Sequence, residues 1–283
     1  MTTTSPTATT RSASTVRVAR PTVVRALVRR DYLVGRSYRL AFLLDLLFGI
    51  VSLTIYFFIS KTFSGVSTAN LGGAPSYFAF AAVGVALALV VQAASVRVAQ
   101  RIREEQLTGA IEILIAQPVT STELGLGLAG FHFLFAVVRA IAYILVAGFL
   151  LHADLGSADW LGFVVVMAAT ALAMTGVGIA LAALILVVRR GELIVAFATL
   201  GLTLLGGAYF PISVLPDWIE PLAKILPTTF AFNGVRSALY NGNGWAIPTL
   251  ELLAFAAVAL PASIALLHTG IGLARDRGLL STP

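Results

Sequence analysis

The chain has 283 residues, of which 58% are hydrophobic and only 11% charged, and its mean hydropathy is +0.93. So few charges cannot cover the surface of a soluble domain, which places the chain among integral membrane proteins. The net charge of +6 is no nucleic-acid patch, because Arg11, Arg17, Arg20, Arg25, Arg29, Arg30, Arg36 and Arg39 all precede the first apolar run and read as a topology signal. With no cysteine, disulfides, thiolate metal sites and cysteine nucleophiles are excluded.

Residues 1–20 are rich in Thr, Ser and Ala and are expected to be a disordered tail. No apolar stretch follows until Leu40 and no cleavage-like site follows that stretch, so the first span is expected to be retained rather than removed as a signal peptide. Residues 21–39 predict an amphipathic helix. Val23, Val24, Leu27, Val28, Val34 and Tyr38 share one arc of a helical wheel, Arg25, Arg29, Arg36 and Arg39 share the other, and Asp31 is the misfit. Such a helix lies on the inner membrane surface or serves as a plain positive-inside anchor.

A membrane crossing needs roughly 20 mostly apolar residues. Segments 40–59, 77–98, 124–151, 160–188, 193–210 and 250–273 qualify, within a membrane domain over 40–273 and a cytoplasmic tail over 274–283. The amino-terminal arm, the loop 97–123, the turn 189–192 and the pair Arg275 and Arg277 hold fifteen of the nineteen basic residues. Both termini are therefore expected to be cytoplasmic. The fourth segment is rich in small residues, among them Ala173, Gly176, Gly178 and Ala182, which predicts close helix packing.

The loop between the second and third segments mixes both signs of charge: Arg97, Arg101, Arg103, Glu104, Glu105 and Glu112. It adds an apolar patch at Ile111, Ile113, Leu114 and Ile115, and then stops at Pro118, which cannot continue a helix. A short helix offering both charge and apolar surface suits docking against a partner protein; an ordinary solvated loop is the plainer reading. Thr120, Ser121, Thr122 and Glu123 supply capping residues for the next segment.

The stretch 206–244 is broken by Gly206, Gly207, Pro211, Pro216 and Pro227. It predicts two short helical pieces, too brief to cross, as an interfacial or re-entrant element with Trp218 at headgroup level.

Catalytic constellations are missing. There is no Gly-x-x-x-x-Gly-Lys-[Ser/Thr] phosphate loop. The run Gly35-Arg36-Ser37-Tyr38-Arg39 lacks the closing glycine of a nucleophile elbow, and His132, His152 and His268 are scattered. Asp45, His132, Arg139 and Glu251 fall within or at the ends of apolar segments, where ionisable groups are functional candidates. Asp45 lies about five residues in from the cytoplasmic side and Arg139 about fifteen, a depth gap of roughly 15 Å that argues against a direct pair. His132 and Arg139 share a helix face; they line a polar pathway, or Arg139 bonds backbone carbonyls of the broken stretch.

The order of parts resembles the permeases of the ABC-2 type, the transmembrane half of ATP-driven exporters. Glu105, Gly109, Glu112 and Pro118 are similar to the family's Glu…Gly-Thr-Leu-Glu…Pro pattern, with Ala110 and Ile111 in place of Thr-Leu. Gly207, Phe210, Pro211, Leu215, Pro216, Pro227 and Arg236 are similar to its Gly…Phe-Pro…Leu-Pro…Pro…Arg run. The resemblance covers nearly the whole chain after residue 20. It implies an all-α membrane protein in the bacterial plasma membrane. The parts would be six transmembrane helices, an amphipathic interfacial helix, a cytoplasmic coupling helix, and an extracellular re-entrant hairpin before the last span.

It further implies a dimer with a second copy or a homologous permease, and two separate ATPase subunits holding the ATP and Mg. This chain would bind no cofactor, no metal and no nucleic acid, and would carry no catalytic residue. Arg101, Arg103, Glu104, Glu105, Gly109, Glu112, Leu114 and Pro118 would face the ATPases. Pro211, Pro216, Trp218, Pro227 and Arg236 would build the hairpin. Phe42, Asp45, Phe48, Tyr56, His132, Arg139 and Phe210 are pathway candidates for a drug-like, lipidic or glycolipid substrate, with lipid-facing packing the alternative for the aromatics. A membrane-embedded lipid-modifying enzyme would need an acidic cluster or nucleophile near the interface, and a secondary transporter would need a broken helix in each half.

Overall fold

The computed structural model describes residues 20–37, 39–62, 71–92, 100, 104, 121–151, 158–188 and 191–276, which are helices joined by turns with no strand among them. The main helices are α1 (Arg20–Ser37), α2 (Arg39–Thr62), α3 (Tyr77–Gln92), α4 (Ser121–Phe149), α5 (Trp160–Val187) and α6 (Gly191–Leu205). A broken stretch follows, with a 3-10 turn at Ile212–Val214, α7 (Glu220–Lys224), α8 (Pro227–Arg236) and a π turn at Ser237–Asn241; the chain then enters α9 (Ala246–Asp276). The expected tails lie largely outside the described residues, although α9 runs on to Asp276, past the expected limit at 273.

Where it is described, each apolar segment falls on a helix, but the fifth stops at Leu205 rather than at Phe210, and residues 93–98 of the second lie outside the described residues. Among the described residues, Trp160–Val187 and Ala246–Leu273 are long and apolar enough to cross a membrane. Leu46–Thr62, Tyr77–Gln92, Val137–Phe149 and Leu193–Leu205 are shorter apolar helices.

The core forms around α3. Every residue from Phe78 to Leu87 is buried, as befits a helix that is apolar all round, and α2, α4, α6 and α8 pack around it. The long helices α5 and α9 lie side by side through small residues. A Cβ on Gly176 would meet Ala259 at 3.1 Å, and one on Gly270 would meet the Ala183 carbonyl at 3.2 Å, so the backbones approach closely enough for dispersion to hold them. Pro261 interrupts the α9 ladder, a break that packed membrane helices tolerate.

Helix α1 packs along α4. Leu27 is buried against Gly127, where a Cβ would overlap it. The misfit Asp31 lies on this packed face, 5% exposed, with its carboxylate accepting a hydrogen bond from Arg30 Nε at 3.0 Å. Of the expected polar arc, Arg25 and Arg29 are exposed, and the side chains of Arg36 and Arg39 lie outside the described residues.

Candidate functional site

Helix α6 ends in a Schellman turn. Gly207 N–H donates to Leu204 O at 3.2 Å, Ala208 N–H donates to Thr203 O at 3.2 Å, and Gly207 takes φ 87°, a conformation that only glycine adopts without strain. Thr228 Oγ1 on α8 donates to Leu202 O at 2.7 Å, capping one more carbonyl of the same end.

The next orphan carbonyls are taken by Arg236. It is 2% exposed, and its Nη2 donates to Gly207 O at 2.8 Å, Phe80 O at 3.2 Å and Ala208 O at 3.3 Å. Its guanidinium also lies over the Phe80 ring, 3.5 Å from the centroid. A cation at the negative end of a helix is the favourable arrangement, and one side chain here joins α8, the break after α6, and α3. Gly84 lets α3 come this close, because a Cβ there would overlap the Ala208 carbonyl. Tyr240 follows with its hydroxyl donating to Ala79 O at 2.7 Å.

Aromatic rings gather beside this joint. Tyr56 of α2 stacks on Tyr209 at 5.6 Å between centroids, Tyr77 Oη donates to Tyr209 O at 3.1 Å, and Phe57 meets Phe78 edge-on at 5.3 Å. Lys61 Nζ caps the Phe57 ring at 4.6 Å. Lower on α2, Gly49 admits the Tyr143 ring of α4.

A second tie closes the far side of the broken stretch. Asp159 caps α5 by accepting from Gly162 N–H at 3.0 Å and also accepts from Trp245 Nε1 at 2.8 Å, while its own N–H donates to Ala238 O at 2.8 Å. The Gly162 and Trp245 hydrogen bonds, in that order, hold its carboxyl below the ordinary carboxylate range. Gly162 leaves room for the Trp245 ring, which a Cβ would overlap.

The candidates named from sequence divide clearly. Tyr56 and Arg236 both meet the stretch after α6, at Tyr209 and Gly207, and Pro211 and Arg236 line a cavity there. Pro227 opens α8 and is buried, whereas Pro216 and Trp218 are exposed on the approach to α7. Phe210 is half-buried beside Tyr209, and Phe48 faces outward, 71% exposed. Arg139 is buried in α4, its guanidinium 5.8 Å from the Phe135 ring centroid. Arg236 bonds carbonyls of the broken stretch. The side chains of Phe42, Asp45 and His132 lie outside the described residues. So do Arg101, Arg103, Glu105, Gly109, Glu112, Leu114 and Pro118; Glu104 is helical and exposed.

Thr228, Tyr240, Asp159 and Trp245 were not singled out from sequence. The one local signal among them was an Asp directly before an apolar run, which marks a helix start.

The described residues form an all-α bundle, and two of its helices are long and apolar enough to cross a membrane, consistent with an all-α membrane protein. Residues 22–240 match the family model described as ABC-2 type transporter, and the chain belongs to that family. Its members are membrane-embedded and work with ABC ATPase subunits. The chain is also similar to "Nodulation protein J" of Sinorhizobium fredii, at 29% identity over 212 residues, covering 72% of this chain and 78% of the relative.

Proposed function

We propose that this chain is the permease subunit of an ATP-driven exporter, moving a drug-like, lipidic or glycolipid molecule outward through a pathway shared with a second copy or a homologous permease. The observation that carries this reading is the capped break after α6, with α8 folded back onto α3 before α9 begins, in a chain of the ABC-2 family. In this reading α2, α3, α4, α5, α6 and α9 are the six spans of a membrane domain over 40–273. Both termini, including the tails 1–20 and 274–283, are cytoplasmic at a bacterial plasma membrane. The broken stretch is the outward-facing re-entrant hairpin. The amphipathic segment 21–39, of which α1 forms the part up to Ser37, lies at the inner interface with its Leu27 face on α4.

Two ATPase subunits bind ATP and Mg and dock on the segment containing Arg101, Arg103, Glu104, Glu105, Gly109, Glu112, Leu114 and Pro118. Closure of the ATPases moves the spans as rigid bodies. The rings at Tyr56 and Tyr209 favour a bulky amphipathic substrate, which stacks on aromatic faces while its polar part stays wet. Phe42, Asp45, Phe48, His132, Arg139 and Phe210 complete the proposed pathway.

The test is affinity purification of the tagged chain from native membranes in mild detergent, with subunit stoichiometry measured. One ATPase per permease, lost in Glu112→Arg, is the expected result. A permease recovered without any ATPase, whatever the detergent or lipid, overturns the reading.

A further inference from the structure

A cavity of about 270 Å³ opens against the broken stretch, with Arg236, Phe80, Gly207, Pro211, Ser213 and Asn233 on its wall. All three hydrogen bonds of Arg236 leave from Nη2, and its Nε is wholly buried with no partner. Among the described residues no carboxylate lies within ion-pair reach of it. The carbonyl end of a helix carries about half an elementary charge, less than the full charge of a guanidinium. Buried charges are ordinarily paired, and the described residues leave part of the balancing charge to another group.

The rest of the wall is suited to supplying a ligand with hydrogen bonds. Asn233 stands three residues before Arg236 on α8, hence on the same helix face, and both it and Ser213 are exposed. The volume accommodates one compact oxyanion with the first atoms of whatever bears it, well short of a drug-sized ligand.

We propose that this cavity binds an anionic phosphoryl group, held by the Arg236 guanidinium with Asn233 and Ser213 as neutral donors. With Nη2 committed to carbonyls and Nε buried, Nη1 is the nitrogen left to donate, on a group that keeps its charge. The group is borne by a phospholipid headgroup or by a free phosphorylated solute, which the test separates. The inference does not rest on the transport reading.

The experiment is thermal unfolding of the full-length protein in neutral detergent. It is titrated at constant ionic strength with inorganic phosphate against chloride, and with short-chain phosphatidylglycerol against a neutral diacyl glycolipid of equal chain length, which carries no phosphoryl group. Binding near saturation is expected to raise the melting temperature by about 5 °C. A rise with phosphatidylglycerol alone assigns the headgroup, and a rise with inorganic phosphate assigns a free phosphoryl solute. Asn233→Asp keeps the fold and places a carboxylate in the cavity, so it is expected to abolish the response to either probe. Absence of any response beyond the chloride and glycolipid controls in the unaltered protein, or an undiminished response in Asn233→Asp, overturns the proposal.

Discussion

The broken stretch after α6 and the outer face of α2 are held in opposite ways. At the break, polar side chains from α8 and the π turn after it reach backbone carbonyls far away in sequence. The Arg236 bond to Phe80 O spans 156 residues and the Tyr240 bond to Ala79 O spans 161. Along α2, Leu43, Leu44, Leu47, Phe48, Val51, Ile55 and Phe58 are all exposed, and the hydroxyls of Thr54 and Ser60 return to the carbonyls of their own helix.

The difference follows from where the backbone groups go. A regular helix satisfies itself and leaves its apolar face to lipid or to another protein. Irregular backbone inside a bundle survives only where the protein supplies the missing partners. The α2 face is therefore free to serve assembly, while the break is fixed to one geometry.

That contrast sets a ranked series of outcomes. Arg236→Met leaves the Gly207, Ala208 and Phe80 carbonyls short of a donor and is expected to cost about 3–5 kcal/mol, seen as loss of the monodisperse peak in size-exclusion chromatography of solubilised membranes. Gly84→Ala drives a methyl into the Ala208 carbonyl and is expected to cost about 1–3 kcal/mol, read by unfolding in mixed micelles.

Asp159→Asn keeps an acceptor for Gly162 N–H but turns an amide toward Trp245 Nε1; its melting temperature is expected to fall by less than that of Gly84→Ala. The sign with pH is fixed. The folded Asp159 carboxyl is held low, so its contribution is complete above the ordinary carboxylate range and disappears as pH falls through the folded value. The gap between the unaltered protein and Asp159→Asn is thus expected to close below about pH 4, in melting curves taken across that range.

Phe48→Ala, on the open face of α2, is expected to change stability by within about 0.5 kcal/mol. If Phe48→Ala proves as damaging as Gly84→Ala in the same unfolding assay, the contrast between the two regions fails.

Much of the helical order was legible locally. The fourth apolar segment, 160–188, matches α5 to one residue at its end, because an Asp stands before a long apolar run and Arg189 ends it. Gly206 and Gly207 announced the end of α6, though the apolar residues beyond them, Ala208 to Phe210, drew the expected span too far. The buried position of Asp31 was illegible, because a helical wheel shows a face but not that α4 would cover it. Arg236 carried no visible partner in its own neighbourhood. Its role depends on three carbonyls brought together by the fold, and the Asp159 bond to Trp245 likewise joins residues 86 apart.

The most direct test of the central claim is ATP turnover by the partner ATPase in proteoliposomes, with and without this chain. The account predicts that adding the permease raises turnover, and that Glu112→Arg removes the increase without lowering the melting temperature. Turnover that is the same with the permease, without it, and with Glu112→Arg would contradict it.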